Sequence, residues 1–576
     1  MRGALVALLA AVIGACGDNN TAAPADGSVD GPPPPPACPD GPPTGAPADQ
    51  TMPGASAAPS PAIRALTIEW AITGDANANA AVAVRYRAQG AMDWQQGFPL
   101  RRIPAGSTPE GFSWTNRFAG SVFELAPATA YEVELALLDP DGGCEIRTLT
   151  ATTRAIPAPM AGAPVKPVTA ATFAQVAAGA VPGDILELAA GSYAGFQLTK
   201  DGAPGMPIVI RAAAGATVDV TGDVRLDGRH DLIVQGLTVT GKFKFNDAKR
   251  LAIVGNTITT TEDGITTKTR SEDLYIADNV VTGATSWNEP ALGASGANIG
   301  EGIEVTGPGH VIEHNKVSGF RDCISTIEDT SAVDQHSIDI AYNDLSECAD
   351  DGIEADFCFH DCRIVGNRLT NVFIGLSSQP GLGGPTYFIR NAMFNVLLSP
   401  FKLQRGSVGD VLLHNTVVKR GDAFGIYTSE PFRRQYARNN LFLGGPGGTY
   451  NGYDIGNGQV ISLGAADTAT IDLDHDGYGG PLFSGRIGAI RFANLAELRA
   501  LTTEKHAVEI TAAAFAMPPA IPASPFPSQA PPDLRPAAAG AAIDTGTVLP
   551  GFAYSGAAPD LGAYEAGAPL PAYGPR

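Results

Sequence analysis

Ile340-Ala341-Tyr342-Asn343-Asp344-Leu345, Ile364-Val365-Gly366-Asn367-Arg368-Leu369, Phe388-Ile389-Arg390-Asn391-Ala392-Met393 and Leu412-Leu413-His414-Asn415-Thr416-Val417 share one frame, with the asparagines 24 residues apart. Asn439 adds one more step of 24, and Asn315, Asn279 and Asn256 extend the series backwards by 28, 36 and 23. An apolar residue stands three before each Asn and another two after it, as in Ile253 and Ile258, Ile276 and Val281, or Ile312 and Val317. Short, β-branched runs on a pitch near 24 are the mark of a stacked β-solenoid rather than of helical hairpins. Parallel strands stacked roughly 4.8 Å apart set identical side chains one above another. Asn suits such a column, because its amide both donates and accepts and its backbone tolerates a left-handed corner. The chain is therefore expected to be all-β, a parallel β-helix of about 24 residues per coil.

A second column follows from the same coils: Ile265, Ile303, Ile324, Ile353, Leu376, Phe401 and Ile426. The residue after each should face outward, giving Thr266, Glu304, Ser325, Glu354, Ser377, Lys402 and Tyr427. Two positions on, the same face carries Asp356, Gln379 and Gln404. Such a strip of carboxylates, hydroxyls, amides, a lysine and a tyrosine suits a sugar chain; an ordinary solvated strand face is the plainer alternative. Glu304, Ser377, Gln379, Gln404 and Tyr427 are the expected substrate contacts.

The 576 residues leave room for several domains, and a net charge of −21 argues against nucleic acid, which needs a basic footprint. An acidic protein acting on uronates needs local Lys or Arg, or a bridging cation. Residues 1–16 have the form of an export signal: Arg2, an apolar stretch from Ala4 to Ile13, then Ile13-Gly14-Ala15-Cys16. The last four resemble the lipobox of bacterial lipoproteins, which implies acylation at Cys16 and anchorage in the cell envelope, at the outer membrane or cell surface. Residues 17–58, with five prolines from Pro32 to Pro36, read as a semi-extended tether. Six further cysteines in an oxidising compartment point to disulfides, with Cys323, Cys348, Cys358 and Cys362 close enough for a local cluster. A zinc site using His360 and Asp361 is the alternative there.

Residues 59–155 alternate short strands with turns, and Leu125-Ala126-Pro127-Ala128-Thr129-Ala130-Tyr131 resembles the tyrosine corner of fibronectin type III domains, with Trp70 and Tyr86 at core positions. The β-helix proper is expected over 165–445. Pro182-Gly183-Asp184-Ile185-Leu186-Glu187-Leu188, Gly191-Ser192-Tyr193 and Pro207-Ile208-Val209-Ile210-Arg211-Ala212 resemble the first coils of polysaccharide lyases and related right-handed parallel β-helix proteins. Residues 172–180 suit a helix capping the open first rung. Residues 446–576 are expected to hold C-terminal coils and a cap. A short helix is expected over 494–502, and Pro559-Asp560-Leu561-Gly562-Ala563-Tyr564-Glu565 resembles the closing element of many secreted β-helix proteins.

Asp350-Asp351-Gly352-Ile353-Glu354, with Asp356 beyond, is the strongest chemical signal. So many carboxylates repel one another unless a cation lies among them, and Ca²⁺ is the natural partner. An Asp-Gly turn with a solvated Glu is the competing reading. Asp322 falls one rung before Asp351. The spacing resembles the D-D-x-x-D calcium site of family-9 pectate lyases, which implies Asp322, Asp350, Asp351 and Glu354 as ligands; Glu354 departs from the family's Asp. Those enzymes use a lysine as base. Lys402 lies two rungs beyond Glu354, about 10 Å by strand spacing, a gap with room for a cation and a sugar carboxylate. Arg405 is expected to pair with a further carboxylate of the polymer. The hydrolases of this fold need Gly-His-Gly and Arg-x-Lys patterns that do not occur here. Asp472-Leu473-Asp474-His475-Asp476-Gly477 resembles half an EF-hand loop, with Phe483 where its last ligand should stand. The expected protein is a lipid-tethered, monomeric, calcium-assisted lyase of an acidic glycan. A C5-epimerase and a noncatalytic glycan-binding or adhesive protein are the alternatives.

Overall fold

The computed structural model describes Cys38, residues 45–381 and residues 383–576. The expected signal segment, Cys16 and most of the tether lie outside these residues.

An antiparallel β-sandwich comes first. Its seven strands lie in the spatial order Thr51–Ala57, Leu66–Gly74, Arg117–Val122, Gln95–Ile103, Ala81–Ala88, Ala130–Leu138 and Cys144–Thr152. Alternating residues point inward, and Trp70, Tyr86, Phe118 and Val133 meet in one core. Ala126 N donates to Tyr131 Oη at 2.8 Å, fixing the crossover ahead of the Tyr131 strand. The first strand falls inside the stretch expected to be tether, and a Cys38–Cys144 disulfide pins the segment before it. Its exposed pattern, with only Thr51 buried, gave no periodic signal. The remaining cysteines pair as Cys323–Cys348 and Cys358–Cys362, so no thiolate is left there for zinc.

The rest is a right-handed parallel β-helix with two long sheets of 13 and 21 strands. The helix Phe173–Ala178 covers the first coil and sets Phe173 against Tyr193 and Phe196. The ladder runs as the 24-residue frame requires. Asn343 donates from N and Nδ2 to Asn367 Oδ1 at 3.0 and 2.9 Å, and Asn367 does the same to Asn391 at 3.0 Å. Each amide also donates back to a carbonyl of the preceding coil, as Asn367 Nδ2 does to Ile340 O at 2.8 Å.

One rung corrects the sequence frame. Asn415 donates to Asn440, not Asn439, and Asn440 donates in turn to Asp476 Oδ1 at 2.7 and 2.9 Å. Asn439 instead takes the corner one residue earlier, with φ of 61°, where earlier coils place Arg390, His414 and Gly366, also at positive φ. Asn is tolerated at both places. The inward partner of Val417 is accordingly Phe442.

The second column stacks as expected: Ile265, Ile303, Ile324, Ile353, Leu376, Phe401 and Ile426 face one another rung by rung, with Glu304, Ser325, Glu354, Ser377, Lys402 and Tyr427 beside them. Coils continue beyond 445, through Asp472–Asp474 and Gly477–Gly479 to Val508–Glu509, with the helix Leu495–Leu501 between. The chain then doubles back along the solenoid. Trp287 Nε1 donates to Pro525 O, Ala563 N to Thr416 Oγ1, and Arg576 pairs with Asp278.

The sandwich docks on the 13-stranded sheet. The fully buried Arg363 pairs with Asp339 and donates to Thr67 Oγ1 at 2.9 Å and Ser121 Oγ at 3.0 Å. Phe98 packs edge-on against Tyr387, Tyr436 and Phe552. A buried ion pair with hydrogen-bonded partners on both sides fixes register as well as contact.

Candidate functional site

The outward column Thr266–Tyr427 runs along the 21-stranded sheet, and its centre is where the carboxylates gather. Glu301, Asp322 and Asp351 form a second column beside it, on three successive rungs. Asp351 N donates to Asp322 Oδ1 at 2.6 Å, so the backbone itself binds one carboxylate of the set. One extra residue bulges the strand Asp344–Glu354 between Cys348 and Asp351, and another bulges Ala392–Lys402 after Val396. Bulges re-aim side chains. Here they let adjacent residues serve two places: Asp350 lines a surface cleft of ≈ 170 Å³ while Asp351 is fully buried beneath it.

Lys402 closes the centre. Its Nζ lies 2.6 Å from Glu354 Oε1, donates to Asp351 Oδ2, and stands 3.9 Å from Asp356 Oδ2. The backbone separation of two rungs is as expected, but the gap between Glu354 and Lys402 is not open, because the long lysine stem folds back across it. Two carboxylate triplets, Asp322–Asp351–Glu354 and Glu328–Glu354–Asp356, each bring ligand oxygens within 4.8 Å of one another and share Glu354. Oxygens around one calcium, each about 2.3–2.6 Å from the ion, span a similar distance. Asp351 Oδ1 and Asp356 Oδ2 are buried without a hydrogen-bond partner, so the donor set retains acceptor capacity a divalent ion would use.

The electrostatics follow from burial. Desolvation pushes Asp322, Asp351 and Asp356 well above the usual carboxylate range; neighbouring carboxylates add to it at Asp322, while the Lys402 ammonium opposes it at Asp351 and Asp356. Glu301 is pushed up to about 8, Glu328 to about 7 and Asp350 to about 6, each chiefly by burial. Burial also opposes ionisation of Glu354, but the Lys402 ammonium outweighs it and holds Glu354 below its ordinary value. Burial likewise disfavours the Lys402 cation, yet Asp351, Asp356 and Glu354 together raise it well above the usual lysine range. In this state Lys402 is a counter-ion, not a base.

The remaining expected residues divide. Gln379, Gln404 and Tyr427 line the cleft with Arg321 and Tyr453. Ser377 is buried and donates to Asp356 Oδ1. Glu304, two rungs from Glu354, pairs with Lys268 and accepts from Thr266 Oγ1 at 3.1 Å. Arg405 does not join the site: its guanidinium pairs with Glu110 of the sandwich at 3.0 Å and with Asp329. Arg321, Glu301, Glu328 and Tyr453 were not singled out from sequence. Glu301 could have been found by extending the Asp322–Asp351 column one rung; Glu328 and Tyr453 lie off the regular columns.

A pH effect follows. Carboxyls raised on folding bind more protons in the folded than in the unfolded chain. Their stabilisation is full below about pH 4 and is lost as pH rises through the folded values. In chelator, the melting temperature should fall between pH 6 and pH 8, the span set by Asp350, Glu328 and Glu301. Scanning calorimetry across that span checks this. A melting temperature that rises over the same span would show that these groups ionise freely.

No family model matches the chain, and no curated protein sequence matches it. Among solved structures, a PL6 family alginate lyase is similar at 16% identity and a TM-score of 0.33, over 55% of this chain and 45% of that one. The chain thus matches less than half the length of that enzyme. An alginate lyase from Paenibacillus sp. str. FPU-7 is similar at 15% identity and a TM-score of 0.30, over 52% of this chain and 98% of that one. The Yersinia enterocolitica family 28 exopolygalacturonase is similar at 12% identity and a TM-score of 0.23, over 74% and 91%. Likeness this distant says nothing of the reaction, which has to be read from the cleft.

Proposed function

We propose that this protein is a calcium-assisted polysaccharide lyase that cleaves a uronate-containing glycan by β-elimination. The observation that carries the reading is the convergence of Asp350, Glu354, Lys402 and Arg321 on one cleft, over the buried Asp322 and Asp351. Asp322, Asp351 and Glu354 have the spacing, and Asp351 Oδ1 the unused acceptor, that would hold a calcium ion, with Asp350 beside them. Calcium, when bound, supplies neutralisation of a sugar carboxylate and so acidifies the proton at the adjacent carbon.

Lys402 is the base of this reading, under one condition. Its ammonium sits against Glu354, Asp351 and Asp356, so it becomes an acceptor only when another cation takes its place among them. It then takes the C5 proton, the electron pair forms the C4–C5 double bond, and the bond to the 4-linked oxygen breaks, that oxygen taking a proton from water and leaving as the hydroxyl of the departing chain. Gln379 and Gln404 offer amides to sugar hydroxyls, and Tyr427 and Tyr453 offer aromatic faces. Arg321, partly exposed at the rim, offers a cation to a uronate. A C5-epimerase shares the proton abstraction and differs in how the carbanion is quenched. Around this centre we place a lipid anchor at Cys16, a tether that holds the domain off the membrane, and a fibronectin type III-like sandwich as spacer. The lipidated chain acts as a monomer at the envelope surface.

The tight Lys402–Glu354 contact favours one second reading, a noncatalytic glycan-binding protein whose lysine only neutralises the rungs. Absorbance near 235 nm separates the two, with the protein incubated with alginate, pectate and glycosaminoglycans in calcium or chelator. A calcium-dependent rise is expected; a flat trace on every glycan, with binding intact, leaves the binding protein.

A further inference from the structure

The site cleft does not end at Tyr427. Leu398 and Tyr427 also line a second cleft of ≈ 410 Å³ that continues over the C-terminal coils. Two arginines stand in its wall. Arg486, in the strand Leu482–Ile487, and Arg491, in Ile490–Phe492, are directly opposite each other across an antiparallel hairpin. Both are exposed, and among the described residues neither guanidinium has a hydrogen bond or ion pair.

That arrangement needs an explanation. Like charges directly opposite on paired strands destabilise the pair. The chain carries a net charge of −21, and several arginines elsewhere in it, such as Arg368 with Asp344 or Arg438 with Asp472, have carboxylate partners. Two carboxylates also line the cleft, each with one oxygen held by backbone N–H groups and neither paired with the arginines. Asp422 Oδ1 accepts from the backbone N–H groups of Asn457, Gly458 and Gln459 at 3.0, 3.0 and 2.9 Å, and Asp454 Oδ1 from Gly456 at 2.9 Å. An external anion is what the pair lacks.

Register fixes where that anion would lie. Gly425 pairs with Ser462 and Ser462 with Arg486, while Tyr427 pairs with Lys402. By period-2 alternation Arg486 shares the outward face of Lys402, three rungs along, or about 14 Å down the axis. We propose that Arg486 and Arg491 form an anion-reading subsite of the same groove, binding carboxylates of an acidic polysaccharide whose reacting unit lies over Lys402. This rests on the acidic-glycan reading above and adds the direction in which the chain runs: across the C-terminal coils. Guanidinium forks grip carboxylates in two-point hydrogen bonds and ignore neutral sugars.

The test uses the full chain and the Arg486→Gln/Arg491→Gln double variant, with oligouronates and their carboxyl-reduced counterparts as probes in calorimetric titrations. Both side chains are exposed, so the variant should fold; its melting curve checks this. The variant is expected to bind the acidic oligosaccharide about tenfold or more weakly, with no change for the reduced one. Arg486→Lys/Arg491→Lys should recover part of the affinity. Unchanged affinity for the acidic probe, or an equal loss on both probes, overturns the subsite. Failure of the wild-type protein to bind any oligouronate overturns it too. Arginine-dependent binding without product at 235 nm keeps the subsite and removes the lyase. Elimination with wild-type KM in the double variant keeps the lyase and removes the subsite.

Discussion

Replacing Lys402 by methionine is expected to destabilise the protein by about 3–5 kcal/mol at neutral pH and, on the proposed function, to abolish elimination. Methionine keeps much of the stem's volume, so the loss is of charge rather than of packing. Without the ammonium, Glu354 loses its 2.6 Å partner and Asp351 its only side-chain cation, both buried. Arg321 cannot replace it, because its nearest carboxylates are Asp322 at 3.3 Å and Asp350 at 3.7 Å. Glu354, held low by Lys402, must then take up a proton, so the penalty should grow with pH. Urea unfolding of both proteins at pH 6 and pH 8 measures this. Calcium should restore part of the stability by binding the folded state alone. An unchanged midpoint would show that the carboxylates are already neutral and that Lys402 is not their counter-ion. Full activity in the variant would place the base elsewhere.

The centre is therefore a competition for one volume. Glu301, Asp322, Glu328, Asp350, Asp351, Glu354 and Asp356 face only Lys402 and Arg321 as near cations, seven possible negative charges against two positive. A buried site does not sustain that imbalance. Protons make up the difference in the cation-free protein, where burial raises most of these groups. A divalent ion would make it up differently, releasing protons and loosening the hold on Lys402 together. On the proposed reading, calcium dependence and lysine basicity would be one property of this geometry.

The solenoid made much of this legible in the sequence, because a fixed coil length turns a period along the chain into a column in space. Ile265 through Ile426, and Glu304, Glu354, Ser377, Lys402 and Tyr427 beside them, stand where the period put them. What failed did so for stated reasons. Lys402 was placed on the right rung, but backbone spacing does not reveal how far a flexible stem folds back. Arg405 was assigned from its nearness to Lys402 along the chain, whereas its partner Glu110 comes from the sandwich, 295 residues away. Arg486 and Arg491 lie beyond the last regular Asn, where irregular coil lengths hide which residues share a face. Asn439 and Asn440 are adjacent and chemically identical; only the corner geometry separates them.

That ladder gives the second large effect. Asn367→Ala should destabilise the protein by about 3–6 kcal/mol, although no catalytic group is touched. Asn367 is fully buried, and its Oδ1 is the acceptor for both Asn343 N and Asn343 Nδ2. Its Nδ2 satisfies Ile340 O and donates to Asn391 Oδ1. Alanine leaves two donors and a carbonyl buried without partners, each costing about 1–3 kcal/mol, and opens a small void besides. Asn256→Ala, at the first rung, is the control. It strands a single donor, Leu237 N, with the carbonyl of Val234, so roughly two-thirds of the loss is expected. If stability comes from the ladder, the two variants differ in that ratio by urea unfolding. Equal losses would mean that the column contributes through packing volume alone, and that its repeated asparagines only shape the corners.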